Sequence, residues 1–374
     1  MHIAVAGNIG AGKTTLTRLL AKHFKWEPHF EDVVDNPYLD DFYHQMERWS
    51  FNLQIYFLNS RFRQLLKIRV IGKKIIKNLI IYKNIFNKVT DLYKKLENID
   101  DKKPIKIIYY TDPICSSCWG IEPQLRKLKL EYGNNIEVEY RMGGLLPNWS
   151  YNSGGISKPS DVAHHWDEVS VYYDMPIDGN VWLEDPLNSS YPPSIAFKAA
   201  QMQDNEKAIL FLREIREMVF LQKKNITKWE HLELAGKKVG LDIVKLKTDY
   251  EGKAKELFEE DLKLGRELGV RGFPTMFFTD TTGQKEMVYG SKPYSTFEST
   301  LLKLFPTATK TNYDKSWCFV FSKYHSLTAK EFSELTGTPR NESEKYLDDL
   351  IAKGHLEKLT TKNGAIWTLK NTSR

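Results

Sequence analysis

The chain has 374 residues, 41% of them hydrophobic, and a formal net charge of +6. That length allows two or three domains, and the balance is that of a soluble globular protein rather than a disordered or fibrous one. Three cysteines exclude a secreted disulfide framework, and no uninterrupted apolar run approaches the length of a membrane span.

The N-terminus, Met1-His2-Ile3-Ala4-Val5-Ala6-Gly7, lacks a basic region followed by a long apolar core, so no signal peptide is visible and a cytoplasmic protein is expected. His2–Ala6 is a short β-run. Gly7-Asn8-Ile9-Gly10-Ala11-Gly12-Lys13-Thr14-Thr15 follows, and a helical run continues from Leu16 to Phe24. Strand, G-x-x-x-x-G-K-[ST] loop and helix form a P-loop, in which Gly7, Asn8, Gly10 and Gly12 let backbone N–H groups wrap phosphates. Lys13 then reaches the β/γ-phosphates and Thr14 reaches Mg²⁺, with Thr15 counted among the cofactor-binding positions. ATP and Mg²⁺ are the ligands such a loop takes. A chance glycine-rich turn seldom carries this much of the pattern.

Residues 1–67 resemble the start of a bacterial deoxynucleoside kinase. The resemblance rests on the loop, on His29-Phe30-Glu31-Asp32, on Asn36-Pro37-Tyr38-Leu39-Asp40-Asp41-Phe42-Tyr43, and on Glu47-Arg48-Trp49-Ser50-Phe51-Asn52-Leu53-Gln54-Ile55-Tyr56-Phe57-Leu58-Asn59-Ser60-Arg61-Phe62. It implies Glu31 as general base on the sugar 5′-hydroxyl, Tyr43 on the sugar, Gln54 on the base edge, and Arg61 on the sugar and phosphate side. Such kinases also carry a later Asp/Glu-Arg-Ser motif, further parallel strands and an arginine-bearing lid, none of which follows here. One strand cannot build the sheet that a P-loop strand needs on both sides. The head therefore reads as a truncated, partial P-loop α/β unit without kinase activity.

Residues 68–102 are dominated by Lys, Ile, Asn, Leu, Tyr and Phe, as in Lys73-Lys74-Ile75-Ile76-Lys77-Asn78-Leu79-Ile80-Ile81. These residues share A/T-rich codons. The stretch reads as a linker or as a junction between two fused or truncated genes, ahead of a basic amphipathic helix at a membrane or nucleic acid.

At residue 103 the pattern changes. Ile105–Tyr110 is β-rich, Cys115-Ser116-Ser117-Cys118 follows, and Glu122–Tyr132 is helical. Zinc would need four ligands, and the remaining cysteine, Cys318, is remote; His164 and His165 read as ordinary helix residues. Redox chemistry is the better reading. Downstream, Gly272-Phe273-Pro274-Thr275 stands between a helical and a β-rich run, as a cis-proline loop does. Together the two stretches resemble the DsbA-like branch of the thioredoxin superfamily, which implies a thioredoxin fold over 103–308 with a helical insert at about 155–262. Helices are expected at Ser194–Gln203, Glu206–Val219, Trp229–Val239 and Gly252–Leu268. The aromatic, Gly/Pro/Ser-rich stretch from Trp149 to Trp182 reads as an irregular lobe. Met276–Thr279 and Glu286–Tyr289 form a hairpin, and Ser295–Phe305 is a closing helix.

Residues 309–374 resemble a winged helix: helices at Thr328–Gly337 and Glu342–Lys353, then a hairpin, Leu356–Leu359 and Ala365–Leu369, around Lys362-Asn363-Gly364. The second helix carries Glu342, Glu344, Asp348 and Asp349, whereas a groove-reading helix needs a basic face. A packing or protein-binding module is expected, with no nucleic acid.

In the dithiol, the helix N-terminus favours a thiolate on Cys115, the nucleophile, while Cys118 lies one turn in and resolves the mixed disulfide. Ser116 and Ser117 add no cation, so the Cys115 pKa is expected nearer ~7 than ~3.5. Pro274 places the backbone of Phe273 and Thr275 beside the sulfurs, where a partner chain could pair. Asp112 either opposes the thiolate or shuttles a proton. Cys318, in Trp317-Cys318-Phe319-Val320-Phe321, is expected to be buried and inert. A cytosolic thiol–disulfide oxidoreductase acting on protein thiols or disulfides is the leading expectation. Asp112–Trp119, Glu122-Pro123 and Lys127–Gly133 also resemble thioredoxin-fold adaptors of the ClpXP protease, which implies a protease or a redox regulator as partner and a sensing dithiol.

Overall fold

The computed structural model describes residues 13–24, 103–150 and 156–370, and divides the chain into two compact units, 1–101 and 102–374. In the first, α1 (Lys13–Phe24) is the helix expected behind the P-loop, starting at Lys13 itself. Gly7, Asn8, Gly10, Gly12, Glu31, Tyr43, Gln54, Arg61 and the basic stretch 68–102 lie outside the described residues.

The second unit is built on a four-stranded sheet in the order β2-β1-β3-β4: β1 (Ile105–Thr111), β2 (Ile136–Met142), β3 (Thr275–Asp280) and β4 (Lys285–Tyr289). β1 pairs parallel with β2 and antiparallel with β3, and β3 pairs antiparallel with β4. Ile105, Ile107, Tyr109 and Thr111 alternate along one face of β1 and are fully buried, the period-2 pattern of a central strand. Between β1 and β2 run α2 (Ser116–Gly120) and α3 (Glu122–Tyr132). Phe273–Pro274 is cis, as the sequence led us to expect.

The insert is helical throughout. α4 (Pro159–Tyr173), α5 (Val181–Glu184), α6 (Tyr191–Gln201), α7 (Asn205–Leu221), α8 (Trp229–Lys238), α9 (Ile243–Glu251) and α10 (Lys253–Glu267) fill the space between β2 and β3, and α11 (Tyr294–Leu304) closes the domain. The expected irregular lobe is corrected by α4. Pro159 at the helix start and an Asp161 capping box open it, and Val162, Ala163, Trp166 and Ser170 form its buried stripe. His164 and His165 fall on its exposed side.

The C-terminal unit holds α12 (Trp317–Lys323), β5 (Ser326–Thr328), α13 (Ala329–Thr336), α14 (Arg340–Ala352), β6 (Leu356–Thr361) and β7 (Gly364–Leu369), with sheet order β5-β7-β6. It has its own apolar cluster around Phe321, Phe332, Leu347 and Trp367. Buried charge fastens it to the thioredoxin domain. Glu331, fully buried, receives both terminal nitrogens of Arg213 at 2.8 and 3.0 Å and ion-pairs with Arg126 at 3.2 Å. Arg126 also donates to the Ser326 carbonyl at 2.8 Å. At the other end of the seam, Arg340 grips Asp174 bidentately at 2.6 and 2.7 Å, and the hairpin tip residue Asn363 donates to Asp167 and to the Ile177 carbonyl. No helix among the described residues is long and apolar enough to cross a membrane.

Candidate functional site: a buried dithiol at the start of a helix

Leaving β1, the chain turns on Asp112, whose Oδ1 accepts from the Ile114 amide and whose Oδ2 accepts from the Leu145 amide and the Ser190 hydroxyl. Burial pushes this carboxyl up to about 6 although those bonds pull it down. The turn delivers Cys115 to the N-cap of α2, where its Sγ accepts from the Cys118 amide at 3.1 Å. A sulfur at this position takes up one of the unpaired amides of the helix start, as a capping oxygen does. Gly120 has no room for a side chain, since a Cβ there would stand 2.5 Å from the Tyr173 ring. The Tyr173 hydroxyl shares a 2.7 Å hydrogen bond with Ser117 Oγ, so α4 of the insert is tied directly to the dithiol helix.

Both sulfurs are buried: Cys115 is 4% exposed and Cys118 0%. Cys115 alone of the two lines a cavity of ≈ 220 Å³ whose other walls include Leu145, Trp149, Trp166, Trp182 and Phe273. Two expectations about the thiols are corrected. Burial and the neighbouring Cys118 push the Cys115 thiol well up, although the Cys118 amide pulls the other way. Burial also raises the Cys118 thiol, but hydrogen bonding with Cys115, the charge of Arg216 and the hydroxyls of Thr111 and Tyr109 outweigh it, and its net direction is down. The Arg216 charge, beneath the dithiol, favours the charged form of Cys118. Cys318 is exposed, not buried. Its apolar run folds as the helix α12, and helical spacing turns Val320 and Phe321 inward and Cys318 outward.

Phe273 faces the cavity and closes over Gly143, where a Cβ would stand 1.9 Å from its ring. Pro274 is buried behind it. Thr275, whose backbone was expected to lie beside the sulfurs, is the first residue of β3. It stands there between Tyr110 of β1 and Tyr289 of β4, and its hydroxyl is spent on the Gly272 carbonyl at 2.7 Å. Of the P-loop positions, Lys13, Thr14 and Thr15 lie in the first turn of α1. Among the described residues no group of three or more His, Cys, Asp or Glu stands ready for a metal.

Sequence reasoning missed Arg216. Its Nη1 donates to Glu122 Oε1 at 2.7 Å, and its Nη2 donates to Thr111 Oγ1 at 2.6 Å and to the Asp112 carbonyl at 3.2 Å. Thr111 Oγ1 in turn donates to the Tyr109 hydroxyl at 3.1 Å. Arg213, one turn earlier, lies 4.3 Å over the Trp119 ring. The available signal was two arginines among the apolar positions of an otherwise core-facing helix.

Three comparisons bear on this arrangement. Residues 109–299 match the thioredoxin family model, and residues 3–108 match that of deoxynucleoside kinases. The ClpXP adapter protein SpxH of Halalkalibacterium halodurans is 34% identical over 272 residues, covering 71% of this chain and 89% of the relative. The chain belongs to the SpxH family of ClpXP adapter proteins. The Bacillus subtilis member is 30% identical over 277 residues, covering 72% of this chain and 91% of its own length. Among solved structures, the cytosolic disulfide reductase DsbM of Pseudomonas aeruginosa is similar at 22% identity and a TM-score of 0.44, covering 53% of this chain and 99% of that one. The thioredoxin match and the SpxH membership agree with the stretches around the dithiol that suggested a thioredoxin fold and an adaptor.

Proposed function

We propose that this chain is a cytoplasmic ClpXP adaptor whose thioredoxin domain carries a redox-responsive dithiol, presenting a redox regulator to the protease. The observation that carries this reading is the match to the SpxH adapters over about nine-tenths of their length. The burial of both sulfurs supports a sensing dithiol over a turnover catalyst, because exchange rates need access as well as thiolate. The test is degradation of the purified redox regulator by purified ClpXP with and without this chain. The expected result is a several-fold acceleration that persists in a Cys115→Ser/Cys118→Ser variant under reducing conditions. No acceleration by the wild-type chain refutes the adaptor reading.

A second reading, thiol–disulfide oxidoreductase, is favoured by Cys115 standing at the helix cap on the cavity wall. In that reaction Cys115 Sγ attacks a partner disulfide as its proton passes to the Cys118 thiolate. The departing partner thiolate then takes that proton, and Cys118 attacks Cys115 Sγ to release the second partner thiolate. The partner gains two electrons and the pair ends as the Cys115–Cys118 disulfide. Insulin reduction above a Cys115→Ser control tests it. For the head, ATP and Mg²⁺ at Lys13 and Thr14 remain our proposal for binding alone, without deoxynucleoside phosphorylation.

A further inference from the structure

We infer that Arg216 is a positioning residue that sets the redox equilibrium of the dithiol, acting from beneath it through Thr111 and Tyr109. This inference rests on the Cys115–Cys118 pair being redox-active.

The argument starts from where the guanidinium sits. Arg216 is 1% exposed, in the middle of α7, and belongs to the insert rather than to the thioredoxin fold itself. A buried charge is retained only where partners compensate it. Glu122 supplies the counter-charge on one side. On the other side Arg216 donates to neutral acceptors, Thr111 Oγ1 at the end of β1 and the Asp112 carbonyl in the turn that leads into Cys115. Because Arg216 takes a lone pair of Thr111 Oγ1, the Thr111 proton is directed onward to the Tyr109 hydroxyl. The Asp112 carbonyl that Arg216 meets also accepts from the Cys115 amide at 3.2 Å, so the cation is joined directly to the dithiol turn as well. Donors are thus lined up in one sense, from the cation through Thr111 to Tyr109, beside a Cys118 thiol whose charged form the Arg216 charge and both hydroxyls favour. Each polarises the next in a low-dielectric interior. Tyr109 stays neutral throughout, since burial and the Cys118 and Glu122 charges push its pKa well up.

The consequence has a definite sign. A cation and two hydroxyl donors stabilise a Cys118 thiolate, which exists only in the reduced pair. They contribute nothing comparable to the disulfide, which is uncharged. Arg216 therefore favours the reduced form and makes the pair easier to reduce. The exchange is reduced protein plus glutathione disulfide giving oxidised protein plus two glutathione molecules, with two electrons passing to glutathione. Removing the cation shifts this equilibrium toward the protein disulfide.

The experiment equilibrates the full chain in glutathione buffers of graded ratio at neutral pH and reads the oxidised fraction by alkylation and mass spectrometry. Thiolate absorbance near 240 nm is followed against pH in parallel. Arg216→Gln is expected to raise the oxidation equilibrium constant at least tenfold, about 30 mV for a two-electron couple, and to move thiolate formation to higher pH. Arg216→Lys, which keeps the charge, should recover most of the wild-type value. Because Arg216→Gln leaves the Glu122 carboxylate only its 3.7 Å pair with Arg126, the paired variant Glu122→Gln/Arg216→Gln and the milder Tyr109→Phe are measured beside it; both should shift in the same direction, Tyr109→Phe by less. A wild-type pair that cycles with an unchanged equilibrium in every folded variant overturns the role of Arg216. A wild-type pair that never oxidises removes the redox reading itself, and the inference with it.

Discussion

Glu331 is the residue on which the seating of the C-terminal unit turns. Its carboxylate is fully buried and meets Arg213 at 2.8 and 3.0 Å and Arg126 at 3.2 Å, while its Oε2 also accepts from the Thr328 amide at 2.8 Å. Glu331→Ala leaves two guanidinia at the seam short of a counter-charge and removes the capping box of α13. Breaking a buried ion pair from one side costs about 3–5 kcal/mol. Arg126 keeps Glu122 and the Ser326 carbonyl, and Arg213 keeps Glu217, so the lower end, about 3 kcal/mol, applies. Lost capping adds about 1 kcal/mol. At about 2–4 °C per kcal/mol for a unit of this size, Tm falls by roughly 8–16 °C. Urea denaturation followed by tryptophan fluorescence measures the free energy, and scanning calorimetry the Tm. Arg126 and Arg213 also hold the Glu331 carboxyl below its ordinary value despite burial. Its contribution is therefore full above the unfolded pKa, about 4.3, and is lost as pH falls through the lower folded one. The wild type should show that acid-side loss and Glu331→Ala should not. A destabilisation under 1 kcal/mol, with the acid limb unchanged, would refute the reasoning.

Limited alkylation of the reduced native chain, read by mass spectrometry, should label Cys318 first, Cys115 second and Cys118 last, following exposure; labelling of Cys118 before Cys115 would contradict the order. Asp112 has its carboxyl raised from 3.8 to about 6 by burial, so the folded state keeps a proton that the unfolded state has already released. Its stabilising contribution is full below 3.8 and is lost as pH rises through about 6, a change of about 3 kcal/mol that Asp112→Asn should remove from a urea-denaturation series across those pH values. Residues 103–374 alone should unfold in one cooperative transition close to that of the full chain by calorimetry, since both sheets lie inside them. With ATP, Mg²⁺ and each deoxynucleoside, the full chain should form no deoxynucleotide above a Lys13→Ala control by chromatography.

Local chemistry was legible in the sequence, and long-range chemistry was not. Cys115, Cys118 and Pro274 each announce themselves through their immediate neighbours, because a redox turn and a cis-proline loop are defined over a few residues. Arg216 reaches Thr111 across 105 residues of chain, and nothing near either residue signals the other. The helix α4 hid for a different reason. The Gly, Pro and Ser residues before it suggest irregular backbone, and its buried stripe is short enough to be lost among the surrounding aromatics. Cys318 shows the limit of composition: an apolar run tells that something is buried, and only the helical period tells which residues.

The strand order also has a meaning for the ribosome. β1 finds β2 at once, but its other neighbour is β3, whose Thr275 aligns with Tyr110. At about 5–20 residues per second, the nascent chain waits roughly 8–33 s between making the two. During that interval β1 presents a bare edge with its apolar face incompletely covered, a template for pairing with other chains. Glu331, which seals the seam, emerges later still. A translation product that stops short of β3 therefore carries the sulfurs but has no closed sheet to hold them, which makes it a substrate for chaperones and proteases rather than a smaller version of the same protein.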